Sequence, residues 1–146
     1  MTRPRVEVRR VRGGLELRIE GTQASVRRHG RALTGVVWWA LASPVVLLPR
    51  SRPRRVLVLG LAAGSVAHAL RVLDPGAEIT GVELDAEVVR AARRHFGLGR
   101  LGVDVVLGDA LEFLRRDRRR FDLVVEDLFV GPSRSVRKPE WLVGEG

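Results

Sequence analysis

The sequence predicts an α/β fold: a doubly wound parallel sheet of strand order 3-2-1-4, preceded by a small β region. Three observations predict it. Residues 54–127 alternate between short apolar runs and helix-length segments. The run Arg55–Leu59 is apolar throughout, as a strand covered on both faces must be. Each such run ends in glycine or an acid, where the chain turns into a helix. Strand, helix, strand in repetition implies right-handed crossovers, hence a Rossmann-like sheet.

The elements follow in order. Val6–Val8 and Leu15–Ile19 alternate with period two around Gly13-Gly14, and read as strands. Gly21-Thr22 turns into a third strand, Ala24–Arg28. Ala32–Ala42 is an apolar helix limited by Pro44. Residues 1–50 thus form an N-terminal β-strand region with a short apolar helix, and residues 51–146 the larger α/β domain. In that domain, strand Arg55–Leu59 leads to helix Ser65–Leu73, stopped by Asp74-Pro75-Gly76. Strand Glu78–Val82 follows, then a helix capped by Asp85 and running through His95, with Val88, Val89, Ala92 and Phe96 on one face. Strand Val103–Leu107, helix Ala110–Arg116 and strand Phe121–Glu126 complete the pattern. A full sheet of this type has three more strands, so the domain is expected to be partial. Its fourth strand is then an edge, to be covered by a homo-oligomer contact or a partner chain, or else the sequence is a piece of a longer protein.

Composition narrows the chemistry. The chain of 146 residues is 45% hydrophobic and has no cysteine, which excludes disulfides, zinc–thiolate sites and a cysteine nucleophile. Its three histidines, His29, His68 and His95, lack metal-ligand spacing, and no metal site is expected. No stretch reads as a signal peptide or bilayer span, so the expected location is cytoplasmic and no membrane partner is expected. The net charge of +9 comes almost wholly from arginine, Lys138 being the only lysine. The arginines are scattered without interleaved aromatics, which argues against nucleic acid. The densest run, Arg115–Arg120, falls at a helix C-terminus, where cations are favourable.

Ligands of doubly wound sheets bind at the carboxyl ends of the strands, at the switch in strand order. Four segments meet there. Gly60-Leu61-Ala62-Ala63-Gly64-Ser65 joins a buried strand to a helix N-terminus, which favours negative charge; a tight turn alone would also ask for these glycines. Glu83 ends the second strand, placed to accept from two ribose hydroxyls, and Asp85 follows as helix cap first and ligand contact second. Asp109 ends the third strand, as helix cap or as acceptor for an exocyclic amine, beside Ala110. Glu126-Asp127 ends the fourth, where an acid can serve as a general base or hold a cation.

In order and spacing, Arg55–Ser65, Gly81–Asp85, Gly108–Ala110 and Phe121–Pro132 resemble the cofactor motifs of the spermidine synthase family, which has the class I S-adenosylmethionine-dependent methyltransferase fold. Its members transfer aminopropyl from decarboxylated S-adenosylmethionine to a polyamine, and relatives are methyltransferases. The resemblance implies that Gly60, Ala63 and Gly64 line the cofactor's amino-acid portion. It implies that Glu83 holds the ribose, that Asp85, Asp109 and Ala110 contact the nucleoside, and that Gln23 touches the substrate side. Asp127 matches the acid that deprotonates the attacking amine. Ala63 and Val130 stand where the family carries aspartates, Ala62 where it carries a glycine, and the chain has no tyrosine. A polyamine needs several carboxylates, which a chain of this net charge is expected to lack. The expected function is therefore transfer of methyl, more than aminopropyl, from S-adenosylmethionine or its decarboxylated form to a small-molecule acceptor. The alternative is a non-catalytic remnant that binds a nucleoside or a partner chain. A nicotinamide dinucleotide ranks last, because Ala62 and Ser65 stand where its fingerprint needs glycine.

Overall fold

A computed structural model describes residues 5–29, 35–131 and 135–144. Two sheets meet in it. The first is antiparallel, order β1-β2-β3, from β1 (Val6–Val11), β2 (Gly14–Ile19) and β3 (Thr22–Arg28). β3 starts two residues earlier than its pattern suggests, because Ile19 pairs directly with Thr22. The turn between them is Glu20-Gly21, both at positive φ (50° and 79°). Such a turn matches the right-handed twist of a hairpin, so no further loop residues are needed.

Helix α1 spans Val36–Ala42 and passes into a single 3₁₀ turn, Ser43–Leu47. Pro44 lies in the first turn of that segment, where its missing N–H is harmless. The expected start of this helix, residues 32–34, lies outside the described residues, as does Pro132.

The second sheet is parallel, order β6-β5-β4-β7, from β4 (Arg55–Leu59), β5 (Glu78–Glu83), β6 (Val103–Leu107) and β7 (Leu123–Glu126). The order is the expected 3-2-1-4. Crossovers are α2 (Ser65–Leu73), α3 (Ala86–Ala91), widened into a π turn over Ala92–Phe96, and α4 (Ala110–Arg116). A short α5 (Glu140–Val143) closes the described chain. β5 runs one residue further than its apolar run, to Glu83, which pairs with Leu107. β7 begins at Leu123 instead of Phe121. The Asp122 carboxylate before it accepts from the Arg55 N–H at 2.8 Å and from both terminal nitrogens of Arg52. Among the described residues β7 is an edge, and Val124 on it is exposed.

β4 is buried on both faces, as its sequence demands. Val56 and Val58 join Val66, Leu70, Val88 and Phe96 in the main core, which also takes in Leu17, Ala42 and Val45 from the N-terminal region. The two sheets therefore share one hydrophobic cluster. Leu57 and Leu59 face the smaller cluster with Val82 and Ala110. In the arginine run, Arg119 bridges Asp117 and Asp104 and lies 5.7 Å from the ring centres of both Phe113 and Phe121. That run is partly structural, fastening α4 to β6. Among the described residues no helix is long and apolar enough to cross a membrane.

Candidate functional site

A cleft of about 930 Å³ opens at the carboxyl ends of β4, β5, β6 and β7, roofed by the β2–β3 hairpin and the start of α1. It is large enough for a nucleoside-sized donor and a small acceptor together. Gly60, Glu83, Asp85, Asp109, Ala110 and Asp127 all line it, with Gln23 from β3. Ala63 and Gly64, expected at the same ligand, do not. Ala63 is buried, and Gly64 turns at φ 88° beside Leu98.

Glu83 is almost fully buried. Its Oε2 accepts from the Ala62 N–H at 2.9 Å and its Oε1 from the Asp85 N–H at 3.0 Å. Burial nevertheless raises its carboxyl above the ordinary 4.5. The Leu84 N–H is a further backbone partner, and the carboxylate still keeps acceptor capacity for a hydroxyl donor. Asp85 and Asp109 are helix caps: Asp85 Oδ1 accepts from the Glu87 N–H at 2.7 Å, Asp109 Oδ1 from the Glu112 N–H at 2.9 Å. Asp85 Oδ2 is buried without a hydrogen-bond partner.

The loop after β4 differs from expectation in a decisive way. The helix N-terminus that follows it was expected to favour an anion; the N–H groups of the loop itself, from Gly60 to Gly64, are engaged within the protein. Those of Gly60 and Leu61 go to Val82 O, that of Ala62 to Glu83, that of Ala63 to Ser25 Oγ at 3.0 Å, and that of Gly64 to Leu61 O. Ser25 is buried on β3, and Val26 N–H reaches Ser65 Oγ at 3.2 Å. The hairpin thus clamps the loop, whose Gly60–Gly64 N–H groups are not free for a phosphate. A buried serine amid an alternating strand was the one signal for this clamp.

Ala62 sits in the left-handed region at φ 47°, which costs a residue with a Cβ about 1–2 kcal/mol. Ala62→Gly is therefore expected to stabilise the fold by about 0.5–1 kcal/mol, after the larger unfolded-state entropy of glycine is subtracted. A urea titration of both proteins measures it; an unchanged or lowered midpoint contradicts the strain.

Asp127 follows β7, held by its N–H to Leu59 O at 2.9 Å. Trp38 donates its indole N–H to Asp127 Oδ2 at 3.1 Å, a contact that the apolar reading of α1 had no means to register. Burial raises the Asp127 carboxyl above its ordinary range, although the Trp38 hydrogen bond and the Lys138 charge pull it down. Glu126 does not line the cleft. Its Oε1 accepts from Leu128 N–H and pairs with Lys138 Nζ at 3.0 Å.

The electrostatics of the cleft oppose those of the chain. Five carboxylates line it (Glu20, Glu83, Asp85, Asp109 and Asp127), and among the described residues no lysine or arginine does. The expectation of few carboxylates is corrected here: the arginines lie on other surfaces, and folding collects acids at the strand ends.

The chain matches the spermine/spermidine synthase domain over residues 41–140. It is 37% identical over 82 residues to a polyamine aminopropyltransferase of Synechococcus sp. (strain JA-2-3B'a(2-13)), covering 52% of this chain and 26% of that one. It is 33% identical over 102 residues to an eEF1A lysine and N-terminal methyltransferase homolog of Drosophila melanogaster, covering 64% and 15%. The crystal structure of a probable spermidine synthase from Corynebacterium glutamicum ATCC 13032 superposes with a TM-score of 0.75 at 22% identity, over 88% of this chain and 50% of that one. The chain thus spans about half of that solved structure and a smaller share of the curated relatives.

Proposed function

The chain belongs to the spermine/spermidine synthase domain family, and on that premise we propose a transferase whose cleft takes decarboxylated S-adenosylmethionine and presents an amine to Asp127. The methyl transfer expected from sequence gives way here to aminopropyl transfer. The names of the relatives lean that way, and so does the charge of the cleft, which is the observation that carries the reading. S-adenosylmethionine brings a carboxylate. It would meet five acids, no cationic side chain among the described lining residues, and a loop whose N–H groups from Gly60 to Gly64 are taken. The decarboxylated donor is purely cationic at that end. The same features oppose the pyrophosphate of a nicotinamide dinucleotide.

The residues present fit such a donor: Glu83 retains acceptor capacity for ribose hydroxyls, and Asp85 Oδ2 is a buried acceptor without a partner. When bound, the donor supplies a carbon already activated by sulfonium. The chain's own part is alignment and proton removal. Asp127, with Oδ2 fixed by Trp38, has Oδ1 to draw an ammonium in and take its proton. Burial, which raises its carboxyl above the ordinary range, makes it a better proton acceptor.

The test is calorimetry with the two donors and with NAD. The decarboxylated donor is expected to bind about tenfold or more tightly than S-adenosylmethionine, because a buried carboxylate without a partner is costly. NAD is expected not to bind. Equal or tighter binding of S-adenosylmethionine overturns the choice of donor. Glu83→Ala removes the acceptor for two hydroxyls and should weaken binding by about tenfold or more.

A pH dependence follows from Glu83. A raised folded pKa means that its proton is held more tightly in the folded protein. The stability it contributes is complete below 4.5 and is lost as pH rises through the folded value. Ribose binding needs the ionised form, so donor affinity should rise over the same window. Calorimetry across that window, with Glu83→Gln as control, measures both trends; a flat affinity profile for the parent argues against Glu83 as the ribose acceptor.

A further inference from the structure

We infer that the acceptor of this cleft is an amine with one cationic nitrogen on an apolar body, in place of a diamine or longer polyamine. The inference rests on the reading of the cleft given above and adds the class of acceptor.

The residues that adjoin Asp127 and its partner Trp38 in the lining are Val36 and Val37 on α1, Phe129 and Val130 after β7, and Trp141 on α5. All five are between 38% and 88% exposed, so they form apolar surface that the described residues do not cover. Asp127 is the one charge among them. Glu126 is held by Lys138, whose Nζ lies 3.8 Å from the centre of the Phe129 ring; acid and base there are already balanced. The acid outside the nucleoside end other than Asp127 is Glu20, on the β2–β3 turn, and its Oε1 accepts the Arg5 N–H at 2.7 Å.

An ammonium at Asp127 is paired. A second one, laid along Val36, Val130 and Trp141, would shed water and meet no carboxylate among the described residues of that wall. An alkyl or aryl body laid there would bury apolar surface on both sides. The cleft therefore rewards a single charge and a greasy tail. The transfer balances with such an acceptor: its ammonium loses one proton to Asp127, the nitrogen lone pair bonds to the aminopropyl carbon, and the carbon–sulfur pair returns to sulfur to leave methylthioadenosine.

n-Hexylamine and 1,6-diaminohexane have the same length and differ in the far ammonium. Calorimetry of both on the full chain, with and without methylthioadenosine, is the experiment. Hexylamine is expected to bind about tenfold or more tightly. Asp127→Asn should weaken it by a similar factor, and Val130→Asp should reverse the order by giving the diamine a second carboxylate. A diamine that binds the parent as tightly as hexylamine, or whose affinity falls in Glu20→Gln, overturns the inference. So does the absence of any amine binding while methylthioadenosine binds. If methylthioadenosine fails to bind while hexylamine keeps its advantage, the donor reading falls and the acceptor class stands.

Discussion

Asp74→Ala is expected to cost the fold about 3–5 kcal/mol, the range for removing one partner of a buried ion pair. Arg54 and Asp74 form such a pair, both side chains less than a tenth exposed. Arg54 precedes β4, and its carbonyl accepts the Glu78 N–H at 2.8 Å. Asp74 ends α2. The pair ties the entry of the central strand to the exit of the first crossover helix. Its satisfaction is incomplete: Arg54 Nε and Nη1 and Asp74 Oδ2 have no hydrogen-bond partner. Alanine at 74 would leave a guanidinium buried with no counter-charge, and domains of this size hold only about 5–15 kcal/mol in all. Because the pair is under-satisfied, Arg54→Met with Asp74→Leu should recover most of the loss, as apolar replacements of buried ion pairs do. Urea unfolding of the single and double variants measures both. A single variant within 1 kcal/mol of the parent, to the order of magnitude set by surface changes, would show that the pair carries little.

Gly60→Ala is expected to be nearly as damaging. Gly60 sits at φ 83°, and a Cβ there would lie 2.6 Å from the Asp127 carbonyl oxygen and 2.9 Å from its carbon. Both obstacles are backbone, so no rotamer relieves them. The left-handed conformation costs about 1–2 kcal/mol with a Cβ, and the overlap about 1–3 kcal/mol more. To relax, the chain after β7 must retreat, and Asp127 retreats with it. The variant should therefore lose both stability and amine binding. Gly108→Ala is the control: it lines the same cleft, but a Cβ there meets nothing within 4 Å. Its stability should stay within about 0.5 kcal/mol of the parent. Thermal unfolding of the two variants in parallel separates a steric cost at Gly60 from a general dislike of alanine in strand-to-helix turns.

Both variants fall on residues whose sequence signal was local and whose structural role is not. Asp74-Pro75-Gly76 reads as a helix stop, and it is one; nothing near it in sequence names Arg54. Gly60 reads as a turn glycine or a ligand cradle, and its neighbour turns out to be the backbone just after a strand, 67 residues downstream, as the numbering from Gly60 to Asp127 gives.

The sequence by itself determined the parallel sheet, its 3-2-1-4 order, the helix caps Asp85 and Asp109, and the placing of Glu83 and Asp127 at strand ends on one cleft. These follow from periodicity, from hydrogen bonds that reach two or three residues along the chain, and from the handedness of crossovers, all of which are written locally. Tertiary structure alone decided the rest. It brought Ser25 to the Ala63 N–H, set Trp38 on Asp127 across 89 residues, and paired Arg54 with Asp74. It gathered five acids into the cleft of a chain of net charge +9. The physical reason is that such contacts depend on how whole elements pack. A side chain's partner is then fixed by the register of one sheet against another, which no short window of sequence contains.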